Sequence, residues 1–269
     1  RDLHSFPTRR SSDLVVDINS DLGEGFGAWS MGDDVALLST VSSANVACGF
    51  HAGDPSIMRR TVRLCAGVGV AVGAHVSYPD LLGFGRRNMV CSPEEIYDYC
   101  LYQIGALSVF CGSCGLTLQH VKPHGALYNQ AAMDRRLADA IASAVKSAGR
   151  DIILMGLANS AFESACKELG VPFASEAFAD RAYMSDGTLM PRSMQGAVIH
   201  DVGLAAERVV RMVTEGVVIA QDGTKVHIRP HSICMHGDTK EALEMASAVR
   251  EALEDAEVDV VPLKRVLSI

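Results

Sequence analysis

Aromatic residues are scarce in this sequence, at 6% with a single tryptophan, and no uninterrupted apolar run approaches the roughly 18 residues a membrane-spanning helix needs. Cationic residues are outnumbered, 24 lysines and arginines against 32 acidic residues for a net charge of -8, and no basic stripe with interleaved aromatics is present. A helical membrane protein is thereby excluded, and a nucleic-acid partner is not expected, because phosphate neutralisation requires clustered cations. Phosphate-cradling loops are also missing. No GxxxxGK[ST] stretch occurs, and Gly23-Glu24-Gly25-Phe26-Gly27 lacks the spacing of a dinucleotide fingerprint. If ATP is used, another subunit is expected to handle it. The eight cysteines, at 48, 65, 91, 100, 111, 114, 166 and 234, lie mostly in apolar stretches behind no signal peptide. Free buried thiols in a cytoplasmic protein are expected, rather than a secreted disulfide framework. The redox-like spacing of Cys111 and Cys114 falls at the end of a predicted helix, where a structural role is the better reading.

What is present is a large apolar fraction, 48% of 269 residues, enough for a sizeable core. Residues 1–14 (RDLHSFPTRRSSDL) are polar, arginine- and serine-rich and unlike the rest. They read as a non-native or disordered leader resembling translated adapter DNA, with a basic transit peptide as the alternative. Residues 15–269 read as one domain.

From Val15 onward, short β-branched runs alternate with amphipathic stretches, the pattern of parallel βα units. Strands are predicted over 15–20, 45–48, 70–75, 118–122, 152–155, 172–175 and 232–235, with an eighth over 258–262. Helices are predicted over 54–66, 93–110, 134–147, 161–169, 204–214 and 239–253. Seven or eight such units suffice for an α/β fold closed as a parallel β/α barrel. Asp180 to Gln195 mixes glycine, proline and arginine with weak periodicity and reads as a long loop or flap. Gln221-Asp222-Gly223 is expected to turn a small hairpin.

Polar residues cluster just after the predicted strands, where a parallel barrel gathers its active site. Asn19, Asp21 and Glu24 follow the first strand, His51 and Asp54 the second, His75 the third, and His120, Lys122 and His124 the fourth. Glu176 follows the sixth, and His236 and Asp238 the last. Asp21, His51 and His75 form a plausible divalent-metal set, a carboxylate and two imidazoles, although histidines that bind substrate or pack in polar layers are the alternative. Lys122-Pro123-His124-Gly125 joins a cation to an imidazole. His124 is the leading proton-transfer candidate, and His120 is assigned to the barrel core. Lys122 could bind a carboxylate, form a Schiff base, or pair with a neighbour such as Glu176. Arg181 in the flap and the pair Arg86-Arg87 could clamp an anion, with structural ion pairs or a solvated face as the alternatives. Asp54-Pro55 reads as a helix cap and first turn, beside amides that could receive an anion.

Blocks 17–24 (DINSDLGE), 45–54 (NVACGFHAGD), 73–75 with 83–87, 121–128 (VKPHGALY), 176–183 and 236–238 occur in an order that resembles the LamB/YcsF family. The departures are Val76 and Lys240, each where proline is expected. The resemblance implies a seven-stranded β/α barrel related to polysaccharide deacetylases. It further implies the A component of an ATP-hydrolysing 5-oxoprolinase, acting with B and C partner subunits on a small anionic cyclic amide. On this reading Asp21, His51, His75 and His124 are catalytic, and Asn19, Glu24, Lys122, Glu176, Arg181, His236 and Asp238 bind substrate. Alternatives are a stand-alone metal-dependent deacetylase or amidohydrolase, and a non-catalytic subunit that binds a small acid.

Overall fold

The computed structural model describes residues 14–235 and 240–269. Both the leader, except Leu14, and the residues His236 and Asp238 lie outside the described residues. The elements run β1 (Val15–Leu22), α1 (Asp34–Leu37), β2 (Ser43–Ala47), α2 (Pro55–Val68), β3 (Ala71–Val76), α3 (Pro93–Ser113) and β4 (His120–Pro123). They continue with α4 (Gly125–Met133), α5 (Arg135–Ala148), β5 (Ile153–Leu157), α6 (Ala161–Leu169), β6 (Phe173–Phe178), α7 (Val202–Thr214), β7 (Val217–Ile219) and β8 (Lys225–His227). The last are β9 (Ser232–Met235), α8 (Lys240–Asp255), β10 (Asp259–Val260) and α9 (Leu263–Val266).

Strands β1 to β6 pair in sequence order, β6 pairs β9, and β9 returns to β1, so seven parallel strands close a barrel. The predicted eighth strand, β10, does not join the ring. It pairs only with Val15 and Val16 at the start of β1. Antiparallel β7 and β8 form the hairpin expected at 221–223. Among the described residues no helix is long and apolar enough to cross a membrane.

Strand alternation separates two interiors. Val16, Ile18, Val46, Val72, Ala74, Val121 and Ile233 point outward and join the helices in one apolar core. The alternate positions Asp17, Asn19, Asn45, His120, Lys122 and Ser232 point inward and are fully or almost fully buried. The lumen is therefore a polar stack, held by hydrogen bonds because unpaired polar groups are costly there. At its lower end Asp17 accepts from Ser42 at 2.7 Å, from Ser43 at 2.6 Å, and from Ser232. Burial still raises its carboxyl to about 6.

The Asp54 cap is found as predicted, and further helix ends are capped by side chains. Asp54 caps α2 from Ser56 and Ile57 with Pro55 in the first turn, Ser92 and Glu95 form a capping box on α3, and Asp134 caps α5. Helix α4 is absent from the sequence-based prediction. Its nine residues begin at Gly125, with only His124 between them and the strand-ending Pro123, and no side-chain hydrogen bond caps the start. The predicted flap is irregular, tied by bridges Arg181 to Val198 and Tyr183 to Leu189.

Candidate active site

A cavity of about 900 Å³ opens at the C-terminal ends of the strands. Asp21, Glu24, His75, Lys122 and His124 form its floor, Arg86 and Asn88 one wall, and 184–193 of the flap another. Position follows from topology, since parallel strands all end on this face.

Lys122 is the centre of the lower layer. Its ammonium donates to Glu176 Oε1 at 2.8 Å, Asp21 Oδ1 at 3.1 Å and Asn19 Oδ1 at 3.1 Å, with Cys234 Sγ at 3.2 Å. Burial opposes its charge, but the surrounding carboxylates hold its pKa well above the ordinary lysine value. An ammonium has three protons, and here all are engaged, so the pairing with Glu176 describes Lys122 better than a Schiff base or a free anion anchor. Asn45 donates to Asn19 Oδ1 at 2.7 Å and Asp21 Oδ1 at 2.8 Å, while Tyr128 donates to Glu176 Oε2 at 2.8 Å. Asn19 in turn donates to Glu176 Oε1 at 3.0 Å and Ser232 at 2.7 Å.

His120 belongs to this layer, as expected of a core histidine. Its Nε2 donates to Asn45 Oδ1 at 2.7 Å and its Nδ1 accepts from Gln119 at 3.3 Å, an arrangement that fits a neutral ring. Burial, then the Lys122 charge, push its pKa down to about 3. Gly73 makes the placement possible, because a Cβ there would sit 2.1 Å from the His120 ring.

Above it lies a cluster of imidazoles. His51 and His124 stack 3.8 Å apart and 6° from parallel, with His75 edge-on to both. Nε2 of His75 lies 2.9 Å from Nδ1 of His124. Glu24 Oε1 lies 3.2 Å from His51 Nε2 and 3.6 Å from His124 Nδ1. Burial and the neighbouring rings push His51 and His124 well below the ordinary histidine pKa, whereas burial and the Asp21 charge raise that of Glu24. The loop after β3 closes over this group. Phe84, at φ +53°, offers its carbonyl to His124 Nε2 at 2.9 Å, and Gly85 packs so closely that a Cβ would meet His124 at 2.8 Å and His51 at 2.9 Å.

The groups that converge differ from the sequence-predicted metal set. Glu24, His51, His75 and His124 bring one donor atom each within 4.8 Å of one another. Asp21 is held instead toward Lys122 and Asn45, though its Oδ2 stands 3.3 Å from His75 Nε2. Arg181 lines the cavity, and its guanidinium donates to the carbonyls of Met190 at 2.6 Å and Ala197 at 3.4 Å, which ties it to the flap. Arg87 pairs with Asp80, leaving Arg86, stacked over Phe84 at 5.0 Å, as the cation of that loop facing the cavity. Asn45, Tyr128 and Cys234 were not singled out from sequence. Tyr128 stands four residues after His124, a helical spacing that only a recognised α4 would expose.

A family model described as LamB/YcsF matches residues 16–268. The chain belongs to the LamB/YcsF family. It is 53% identical over 252 residues to the 5-oxoprolinase A subunit of Alkaliphilus metalliredigens, covering 94% of this chain and 98% of that one. The Bacillus subtilis protein of the same name is 54% identical over 245 residues, covering 91% and 95%. Among solved structures the LamB/YcsF chain superposes on a lactam utilization protein from Thermus thermophilus with a TM-score of 0.88 at 50% identity, over 92% of this chain and 99% of that one.

Proposed function

We propose that this LamB/YcsF protein is the A component of a cytoplasmic 5-oxoprolinase, which hydrolyses 5-oxo-L-proline to L-glutamate with ATP and the B and C partner subunits. The observation that carries the reading is near-full-length identity above 50% to relatives bearing that name. The eight unpaired cysteines accord with a reducing compartment.

Ring opening breaks the bond from C5 to nitrogen, adds a water oxygen to C5 and delivers a proton to the leaving amine. An unactivated lactam is a poor electrophile; phosphorylation of its oxygen by ATP on the partner subunits, with ADP released, supplies a better one. Ring opening then leaves the γ-glutamyl phosphate, and a second water releases glutamate and inorganic phosphate. Residues of this chain then perform the remaining tasks. Arg86 anchors the substrate carboxylate at the cavity wall. Asp21, 3.1 Å from the Lys122 ammonium and on the cavity floor, serves as the base for water. His75, His124 and Glu24 line the same floor and polarise the oxygen or carry protons, with His51 stacked behind them.

The test is glutamate release from 5-oxoproline by residues 15–269, with and without ATP and the B and C partners. Release only with both supports the reading. Release by the chain alone, without ATP, would replace it with the stand-alone amidohydrolase.

A further inference from the structure

The imidazole cluster contains a mismatch that a bound cation resolves. Nδ1 of His75 lies 3.0 Å from the carbonyl oxygen of Lys122, and Nε2 of His124 lies 2.9 Å from that of Phe84. A carbonyl only accepts, so each of those nitrogens carries the hydrogen. The remaining nitrogens, His75 Nε2 and His124 Nδ1, are therefore both lone-pair bearing, yet they face each other at 2.9 Å. Two acceptors do not approach to that distance without something positive between or beside them.

A shared proton would satisfy only that pair. The geometry extends to two more donors, since His51 Nε2 lies 3.2 Å from Glu24 Oε1, and Glu24 Oε1 lies 3.6 Å from His124 Nδ1 and 4.0 Å from His75 Nε2. Four ligands at bond lengths of about 2.0–2.1 Å around a tetrahedral ion stand about 3.3–3.4 Å apart, and the observed separations bracket that edge. Because the His51 ring lies parallel to that of His124, His51 turns about its side-chain bonds to direct its lone pair at the ion. The two backbone carbonyls are the outer partners that fix the tautomer of metal-ligating histidines. Glu24, His75 and His124 also line the cavity, which places the position within reach of a bound substrate.

We propose that Glu24, His51, His75 and His124 bind a divalent ion of the zinc class at the floor of the cavity. Three imidazoles and one carboxylate suit zinc or cobalt better than magnesium or calcium, which favour oxygen. Metal binding stands on this geometry alone; only its catalytic consequence, polarisation of the lactam oxygen, rests on the oxoprolinase reading.

The experiment loads the metal-stripped full chain with Zn²⁺ or Co²⁺, removes free ion, and measures metal content, thermal midpoint and the visible cobalt spectrum. About one ion per chain, a raised midpoint and the intense visible bands of a low-symmetry cobalt site are expected. His75→Gln and Glu24→Gln, shown folded by circular dichroism, should lower retention to less than about a tenth of that. Should either variant fail to fold, the wild-type cobalt spectrum decides, because a strong thiolate charge-transfer band would assign the ion to cysteine. That band, no retained metal, or full retention in the variants each overturns the proposal. Glutamate release with the B and C partners is read separately, so a failed functional reading leaves the metal result standing, and the converse.

Discussion

Lys122 Nζ lies 2.8 Å from Glu176 Oε1 with both side chains almost completely withdrawn from solvent, at 3% and 0% exposure. Asp21 shares the same ammonium. Removing one member of a buried ionic group leaves the others without compensation, at a cost of about 3–5 kcal/mol. Lys122→Met should therefore destabilise the fold by that amount in urea unfolding, and Lys122→Met with Glu176→Gln should recover part of it. A loss below about 1 kcal/mol in the single variant would show that water enters the layer and replaces the pair.

Gly73 and Gly85 test how closely the lumen and its lid are packed. Gly73→Ala forces the His120 ring aside and should cost about 1–3 kcal/mol of stability. Gly85→Ala adds a Cβ against His51 and His124 at a left-handed position, φ +64°. Its larger effect should be on turnover, tenfold or more, because the displaced loop holds His124 through Phe84. Equal stability losses with unchanged turnover in both would contradict this division.

His120 predicts the direction of an acid response. Its folded pKa, about 3, lies below the ordinary unfolded value near 6.5, so the unfolded chain takes up the proton first. The stabilisation is fully present above about pH 6.5 and is lost as pH falls toward 3, at up to about 1.4 kcal/mol per unit. In His120→Gln, urea midpoints measured from pH 7 to pH 4 should fall less steeply by up to one proton. A slope unchanged from wild type would assign the acid response to other groups.

Arg86 separates binding from chemistry. If it anchors the substrate carboxylate, Arg86→Gln should raise KM for 5-oxoproline about tenfold with kcat within about twofold, and Arg86→Lys should be intermediate. A fall in kcat at unchanged KM would place Arg86 elsewhere in the reaction cycle.

Tyr128 donates to Glu176 Oε2 from a helix the sequence concealed. Tyr128→Phe leaves that buried oxygen short of a partner, and a loss of about 1.5–3 kcal/mol in thermal or urea unfolding is expected. A neutral outcome would mean that Lys122 and Asn19 alone satisfy Glu176.

By itself the sequence determined the order of strands and helices, because hydrophobic period and capping residues act locally. Strands 15–20 and 232–235, the cap at Asp54 and the hairpin at 221–223 were all legible in this way. Residues placed just after strand ends also named most of the cavity floor. Only the tertiary structure decided which of them meet. Asp21 and Glu24 are three residues apart in one chain segment, yet ring closure turns the first toward Lys122 and the second toward the imidazoles. His75 and His124 face each other across 49 residues because β3 and β4 are neighbours and the Phe84 carbonyl orients the second ring. The flap arginine Arg181 lines the cavity and also donates to the carbonyls of Met190 and Ala197, partners that no local pattern announces. Periodicity fixes the face a side chain occupies, while the partner across the barrel depends on register and closure, which are properties of the assembled sheet.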